Sequence, residues 1–93
     1  MQRKLLEWSV RARRHIGDLS DYIAAENPKA ALAVVSEIIR IAEALTSEPM
    51  LGHSGRRGGT RELVLQKYPY ILVYRLYASR LVIVAVLHQS RKN

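Results

Sequence analysis

The chain has 93 residues, of which 48% are hydrophobic and 25% are charged, a balance typical of one globular domain. It has no cysteine, which excludes a disulfide framework, a cysteine nucleophile and a thiolate metal site. The sequence shows no signal-peptide pattern and no apolar run near the roughly 20 residues that span a bilayer. We therefore expect a single domain over residues 1–93, located in the cytoplasm and without a membrane partner.

Charge is unevenly distributed along the sequence. Residues 1–48 contain 7 basic and 7 acidic residues, so their net charge is zero. Residues 49–93 contain 8 basic residues and one acidic residue, Glu62, which accounts for the whole net charge of +7. A basic half of this kind attracts anionic partners, such as nucleic acid, acidic protein segments or membrane surfaces.

The N-terminal residues predict a strand followed by a helix. Residues 3–8 form a short apolar segment typical of a strand. Ser9 is suited to cap the helix that follows, because its hydroxyl can accept a hydrogen bond from a free N–H of the first turn. Apolar residues then recur at spacings of 4, 3 and 4, which places them on one side of a helix: Ala12, Ile16, Leu19 and Ile23.

A second helix is predicted from Asn27-Pro28 to about Thr46, since Asn27 can cap it and proline at its first position loses no hydrogen bond. The two helices form an antiparallel hairpin over residues 9–46. Apolar residues cover more of the second helix than a one-sided helix needs: Ala31, Leu32, Val34, Val35, Ile38, Ile39, Ile41, Ala42 and Leu45. Either this helix is buried on two sides within the domain, or a partner covers part of it.

The segment MLGHSGRRGGT at residues 50–60 holds four of the five glycines in the chain. Glycine permits backbone conformations that other residues avoid, so we predict a flexible connection. Arg56 and Arg57 form its basic tip and give it a secondary capacity to cradle a phosphate. The segment is not a P-loop, because it lacks the GxxxxGK[ST] order.

The C-terminal part predicts three strands, at residues 60–67, 70–77 and 80–88. The resulting order is β-α-α-β-β-β. The predicted fold class is α+β, with the N-terminal helical hairpin packed on a small, mainly antiparallel twisted sheet.

Alternation along the strands assigns side chains to the two faces of this sheet. With a two-residue turn at Tyr68-Pro69, Glu62 lies opposite Arg75, where the two charges stabilise the sheet as a cross-strand pair. His88 lies near the turn, too far from Glu62 for the two to share an acid–base role. Glu62, Arg75 and His88 share a mixed face. The dense apolar face that packs on the helices comprises Leu63, Leu65, Tyr70, Leu72, Tyr74, Leu76, Leu81, Ile83, Ala85 and Leu87.

Short motifs cover nearly the whole chain in order. They are W-S at 8–9, D-L-x-x-Y-I at 18–23, N-P-x-A-A at 27–31, E-P-M-L-G at 48–52, G-T-R-E-L-V at 59–64, P-Y-I-L-V-Y-R at 69–75 and V-L-H-x-x-R at 86–91. With the element order, this series resembles the RelE/ParE superfamily of bacterial toxin–antitoxin toxins, and the ParE branch in particular.

The resemblance implies one of two activities. RelE-type toxins cut messenger RNA on the ribosome with basic residues and often a C-terminal tyrosine, whereas ParE-like toxins poison DNA gyrase by binding. The RelE branch has an arginine near the start of the third strand, where this chain has Ile71, and residues 88–93 contain no tyrosine. Since proton transfer and charge stabilisation each need a positioned group, these departures favour gyrase binding.

The resemblance also implies a ParD-like antitoxin, whose acidic, amphipathic C-terminal segment wraps the toxin in a hetero-oligomer. We predict that this segment contacts Val34, Ile38, Ile41 and Arg75. We predict that the target contacts five basic residues: Arg56, Arg57, Arg61, His88 and Arg91. No catalytic residue, metal or cofactor is expected. In the nuclease alternative, His88 and Arg61 carry the chemistry.

Three functions therefore stay open at the level of sequence. They are a gyrase-binding toxin, a ribosome-dependent endoribonuclease, and an inactive relative that only binds an antitoxin. A regulator that reads DNA directly is disfavoured, because the chain has neither a clear helix-turn-helix nor aromatics interleaved with its basic residues.

Overall fold

The computed structural model describes residues 3–91. Its elements are β1 (Leu5–Trp8), α1 (Val10–Ala24), α2 (Pro28–Ser47), β2 (His53–Ser54), β3 (Thr60–Val64), β4 (Tyr70–Leu76), β5 (Arg80–His88) and a 3₁₀ turn (Gln89–Arg91). This confirms the predicted α+β order and adds one two-residue strand, β2. Within residues 3–91, no helix combines the length and the hydrophobicity that a membrane span requires.

Both helices begin where the sequence predicts. The N–H of Ala12 donates to Ser9 Oγ at 3.0 Å, and the N–H of Ala30 donates to Asn27 Oδ1 at 3.1 Å. Pro28 occupies the first position of α2. Each cap satisfies a backbone N–H that the first turn leaves without an intrahelical partner, which is worth about 1 kcal/mol.

The five strands form one sheet in the order β1-β5-β4-β3-β2. β1 is parallel to β5, and the other neighbours are antiparallel. The helical hairpin packs on one face of this sheet, as predicted, and the two layers share one core. The other face, here called the open face, carries a smaller apolar cluster centred on Ile71, Val73 and Ala85.

The broad apolar surface of α2 divides into two parts. Val34 and Ile38 are only 5% and 0% exposed and lie in the core between the layers. This corrects the prediction that they contact an antitoxin, because a partner cannot reach them while the domain stays folded. Ile41 is half-buried against the same core. On the other side of the helix, Leu32 and Ile39 are 70% and 41% exposed.

The turn between β3 and β4 is longer than predicted. The N–H of Leu65 donates to the carbonyl of Tyr70 at 2.9 Å, so the loop contains residues 66–69. Arg75 therefore lies opposite Thr60, and the prediction that it lies directly opposite Glu62 is wrong. The loop still has an even number of residues, so Glu62 and Arg75 keep the face that alternation assigns to them.

A β-bulge changes the alternation in the middle of β5. Val73 pairs with Ala85, but the next residue, Tyr74, pairs with Ile83, so Val84 is an extra residue on β5. A bulge leaves one residue without a cross-strand partner and bends the strand locally. Every side chain of β5 after Val84 therefore lies on the opposite face from the one that simple alternation predicts.

Four residues are affected by this reversal. Ala85 and Leu87 pack in the cluster on the open face, whereas Val86 packs in the core under the helices. His88 lies on the helix side, against the ring of the core residue Tyr70. The sequence analysis placed Ala85 and Leu87 on the helix face and His88 on the mixed face. These placements are wrong, because simple alternation along a strand does not reveal a bulge.

Tyr74 ties the segment after α2 to the sheet. Its side chain is fully buried, and its hydroxyl donates to the carbonyl of Pro49 at 2.7 Å and accepts the N–H of Gly52 at 3.0 Å. A Cβ at Gly52 would lie 2.6 Å from that hydroxyl, so this close approach requires glycine. Arg61 lies on β3 opposite Tyr74, and it donates to the carbonyls of Met50 and Gly52.

We expect Tyr74→Phe to lower the free energy of unfolding by about 1–3 kcal/mol, because it leaves the buried N–H of Gly52 and the part-buried carbonyl of Pro49 without this partner. Urea unfolding measured at equilibrium checks this value. Tyr77→Phe is the matched control, since Tyr77 is 43% exposed, and a surface change of this kind stays within about 0.5 kcal/mol. Equal effects of the two substitutions would contradict the role given to Tyr74.

Candidate functional site

The open face of the sheet forms a cleft of about 410 Å³. Its floor is apolar and consists of Ile71, Val73, Val84, Ala85 and Leu87. Four arginines line it as well: Arg11, Arg56, Arg57 and Arg75. We call it the arginine-rimmed cleft. The bulge helps to build it, because it turns Ala85 and Leu87 toward this face.

The arginines of the cleft come from three separate parts of the chain. Arg11 belongs to the first turn of α1, Arg56 and Arg57 to the loop between β2 and β3, and Arg75 to β4. Arg75 Nη1 donates to the carbonyl of Gly58 at 3.4 Å. The fold thus brings together basic residues that are distant in sequence.

The loop that carries two of these arginines is held against the sheet. The N–H of Gly55 donates to the carbonyl of Thr60 at 2.8 Å, and Thr60 Oγ1 donates to the carbonyl of Arg57 at 2.7 Å. Gly59 has φ of +81°, which favours glycine, and a Cβ there would lie 2.7 Å from Arg75 Nη1. The segment that we predicted to be a flexible connection is therefore hydrogen-bonded to β3 and β4.

The cleft carries an excess of positive charge. In the part of the chain that the structure describes, the ion pairs are Arg40–Glu37 and Arg80–Glu7, and neither lies in the cleft. The carboxylate in its lining is Glu62, which accepts the backbone N–H of Arg56 at 3.4 Å. An apolar floor beside unneutralised guanidinium groups suits a ligand that is both apolar and anionic.

The two residues predicted for nuclease chemistry do not meet. Arg61 lies beside Tyr74 and donates to backbone carbonyls, and its Nε is buried without a hydrogen-bond partner. His88 pairs with Tyr70, which is four positions from Tyr74 on the same strand, or roughly 13 Å along it. Arg61 thus has a structural role, and its guanidinium points away from the arginine-rimmed cleft.

His88 lies in a different cleft, of about 530 Å³, between α1 and the ends of β4 and β5. Its ring meets that of Tyr70 edge to face, with centroids 5.4 Å apart. His88 Nδ1 accepts the N–H of Ser90 at 3.1 Å. Burial raises the pKa of Tyr70. Arg91 ends the 3₁₀ turn, and its side chain lies outside the described part of the structure.

His15 has a role that the sequence does not reveal. β1 pairs with β5 only as far as Ile83. Beyond that residue, the N-cap of α1 and a side chain of α1 form hydrogen bonds with the edge of β5 that has no neighbouring strand. Ser9 Oγ donates to the carbonyl of Val84 at 3.1 Å, and His15 Nδ1 accepts the N–H of Val86 at 3.1 Å. The partner of His15 is a backbone group, so no residue type in the sequence signals it.

Among residues 3–91, no three His, Asp or Glu side chains are grouped in a way that could hold a metal ion. The predicted basic site residues whose side chains the structure describes fall into three places. Arg56, Arg57 and Arg75 line the arginine-rimmed cleft, His88 lies in the second cleft, and Arg61 holds the turn after α2.

A family model described as the ParE toxin of the type II toxin–antitoxin system parDE matches residues 6–93. The chain belongs to the ParE toxin family. The matched residues include both helices, all strands from β2 onward and every residue of the arginine-rimmed cleft. The predicted resemblance to ParE-like toxins of type II systems is thereby confirmed.

A curated relative of this ParE-family toxin agrees with that assignment. A curated sequence from Sinorhizobium fredii strain NGR234, named as the candidate toxin Y4kP, is 42% identical over 76 residues. The alignment covers 82% of this chain and 79% of the relative.

Two solved structures share the fold of this ParE-family toxin. The chromosomal ParDE system from P. aeruginosa has a TM-score of 0.81 at 22% identity, covering 91% of this chain and 95% of the other. The toxin–antitoxin complex RelBE2 from Mycobacterium tuberculosis has a TM-score of 0.68 at 22% identity, covering 94% and 99%.

The pH dependence of folding tests the role of His15. Burial lowers the pKa of this imidazole, the charges of Arg11 and Arg14 lower it too, and Asp18 opposes them. Because its pKa is lowered in the folded state, neutral His15 contributes to the free energy of unfolding. This contribution is complete above the unfolded pKa and is lost as the pH falls through the folded pKa. We expect the free energy of unfolding to decrease between pH 7 and pH 5.

The matched substitution is His15→Asn, whose Oδ1 can accept the same N–H without titrating. Urea unfolding at the two pH values should show a smaller pH dependence for this variant. His53→Asn is the control, because His53 is exposed. The same pH dependence in His15→Asn and in the unmodified chain would show that His15 is not the group responsible.

Proposed function

We propose that this ParE-family toxin inhibits DNA gyrase by binding it. We propose further that a ParD-like antitoxin neutralises it by placing an acidic, amphipathic segment in the arginine-rimmed cleft. The supporting observation is the apolar floor of the cleft beside four arginines that form no ion pair within residues 3–91. Such a toxin would act in the cytoplasm, and a plasmid that carried the pair would be stably inherited.

The antitoxin part of the proposal follows from the chemistry of the cleft. Apolar side chains of the segment would pack on the half-buried Val84 and Leu87, which lie beside the buried Ile71 and Val73 in the floor of the cleft. Its carboxylates would neutralise the guanidinium groups around that floor. A segment with both features is selected over a purely acidic or a purely apolar one, because each part of the cleft needs its own complement.

The gyrase part rests on the exposed basic residues of the same region. Arg56 and Arg57 are exposed on the loop above the cleft, where a large partner can reach them. His88, which lines the second cleft, and Arg91 are the other predicted target contacts. Arg61 leaves the predicted target-binding set, since its guanidinium is committed to Met50 and Gly52. Inhibition by binding requires positioned contacts and no bond-making step.

A supercoiling assay tests the gyrase proposal with relaxed plasmid, ATP, gyrase and increasing amounts of this chain. We expect loss of supercoiling or accumulation of linear plasmid. The double variant Arg56→Ala, Arg57→Ala should need roughly tenfold more protein for the same effect, as when an anchoring interface residue is truncated. The control Arg13→Ala removes an exposed arginine of α1 outside the cleft and should change little.

Unchanged supercoiling at a large excess of folded chain would contradict gyrase inhibition. Growth arrest in cells that express this chain, with new messenger RNA ends at ribosomal A-site codons, would then support the RelE-like nuclease alternative. Antitoxin binding without growth arrest would identify an inactive relative.

The antitoxin proposal predicts a salt-dependent effect of charge reversal. Arg57→Glu should weaken binding of the co-purified antitoxin by about fivefold to tenfold at low salt, and the loss should shrink at high salt because exposed charges are screened. Arg13→Glu makes the same change of net charge away from the cleft and serves as the control. Calorimetric titration measures both. Equal losses in the two variants would indicate a net-charge effect rather than contact at the cleft.

A further inference from the structure

The second cleft, between α1 and the ends of β4 and β5, differs in charge from the arginine-rimmed cleft. Within the described part of the chain, no lysine or arginine lines it, and its one acidic residue is Asp18. The charges of Arg11 and Arg14 act on His15, but neither arginine belongs to the lining. A chain with a net charge of +7 therefore has one cleft whose carboxylate is not matched by a lysine or arginine in its lining.

Asp18 and Tyr22 form the helical wall of this cleft. They are four residues apart on α1, so their side chains lie on the same side of the helix. Asp18 is exposed and takes part in no ion pair within residues 3–91. Tyr22 is 82% exposed, although its ring is large and mostly apolar. A carboxylate beside an exposed aromatic ring suits a cation that can also lie on the face of that ring.

Tyr70 supplies a second aromatic ring, on the side of the cleft that the sheet forms. Burial raises the pKa of its hydroxyl, and the nearby Tyr22 raises it further, so this hydroxyl stays protonated at neutral pH. Leu19 and Val86 add apolar surface between the two rings and the carboxylate. The cleft can therefore hold the apolar stem of a long side chain as well as its charged end.

Two imidazole groups in the lining present hydrogen-bond donors. His15 Nδ1 accepts the N–H of Val86, and His88 Nδ1 accepts the N–H of Ser90, both at 3.1 Å. In a neutral imidazole the other nitrogen carries the proton, so each ring has its N–H at Nε2. Such an N–H can donate to a backbone carbonyl of a bound chain.

We propose that the second cleft binds an arginine side chain of a partner protein. The guanidinium pairs with Asp18 and lies on the ring of Tyr22, while its methylene stem packs on Leu19. The adjoining backbone carbonyl of the partner accepts the Nε2–H of His88. A planar guanidinium can lie on a ring and donate two parallel hydrogen bonds to a carboxylate at once, which the ammonium of lysine cannot.

Other classes of partner fit this cleft less well. An acidic segment, such as the one proposed for the arginine-rimmed cleft, would meet the carboxylate of Asp18. A nucleic acid would find no lysine or arginine in the described lining to contact its phosphates. The second cleft thus takes a ligand of opposite charge to that of the arginine-rimmed cleft, and this binding does not depend on gyrase or on the antitoxin.

An NMR titration of the isotope-labelled chain tests the proposal, with a blocked pentapeptide that has one arginine between glycines. We expect saturable shift changes at the backbone amides of residues 18–22 and 88–90, with a dissociation constant on the order of 1 mM for one anchoring side chain. Peptides with lysine or with neutral citrulline in place of arginine should bind more weakly. The loss should be about fivefold or more for citrulline, which has no charge for the carboxylate or the ring.

Two variants separate the contributions of charge and ring. Asp18→Asn keeps the shape of the side chain without its charge, and Tyr22→Leu removes the ring. Each should weaken binding of the arginine peptide by about twofold to fivefold. Asp21→Asn is the matched control, because Asp21 is exposed on the same helix but does not line the cleft. The amide spectrum of each variant also establishes that it is folded.

Several results would overturn the proposal. They are the absence of saturable shift changes, equal binding of the arginine and citrulline peptides, and equal effects of Asp18→Asn and Asp21→Asn. A single-stranded oligonucleotide that shifts these amides when the arginine peptide does not would identify a nucleic-acid site instead. Peptide binding that appears only after Arg91→Ala would show that an arginine of this chain, and not a partner, occupies the cleft. None of these readouts requires gyrase inhibition, so failure of the supercoiling assay leaves this test intact.

Discussion

One extra residue in β5 determines the arrangement of both clefts. Because Val84 has no cross-strand partner, the side chains after it exchange faces. Leu87 then completes the floor of the arginine-rimmed cleft, and His88 enters the second cleft beside Tyr70. On the edge of β5 beside the bulge, Ser9, the N-cap of α1, and His15 within α1 supply hydrogen bonds to the backbone of Val84 and Val86. The N-terminal helix thus contacts the same part of β5 that forms the floor of the proposed binding site.

The two faces of the sheet give its arginines different roles. Arg61 and Arg75 lie on neighbouring antiparallel strands but on opposite faces. Arg61 has its guanidinium committed to the carbonyls of the turn after α2, whereas Arg75 lies against the loop that carries Arg56 and Arg57. Residue type alone therefore does not identify a binding arginine. The hydrogen bonds of its guanidinium decide whether its N–H donors remain available to a partner.

Local signals in the sequence predicted much of the fold. Ser9 and Asn27 cap the helices as expected, since a cap depends on residues within one turn. The faces of β3 were also predicted correctly, because an even loop of any length preserves alternation. The faces of the last residues of β5 were predicted incorrectly, since tertiary contacts decide where a bulge forms. For the same reason the sequence indicated the basic loop but did not show that Arg11 and Arg75 join it in one cleft.

The position of β5 in the sheet has a consequence for synthesis of the chain. β5 is the last strand in the sequence yet lies between β1 and β4 in the sheet, and Leu5 pairs with Arg80. The helical hairpin can form early from local contacts, but the sheet can close only after the C-terminal residues have been made. Until then β1 has no strand to pair with, and the floor of the arginine-rimmed cleft is incomplete. The surface that we propose for the antitoxin is therefore available only after β5 has been translated.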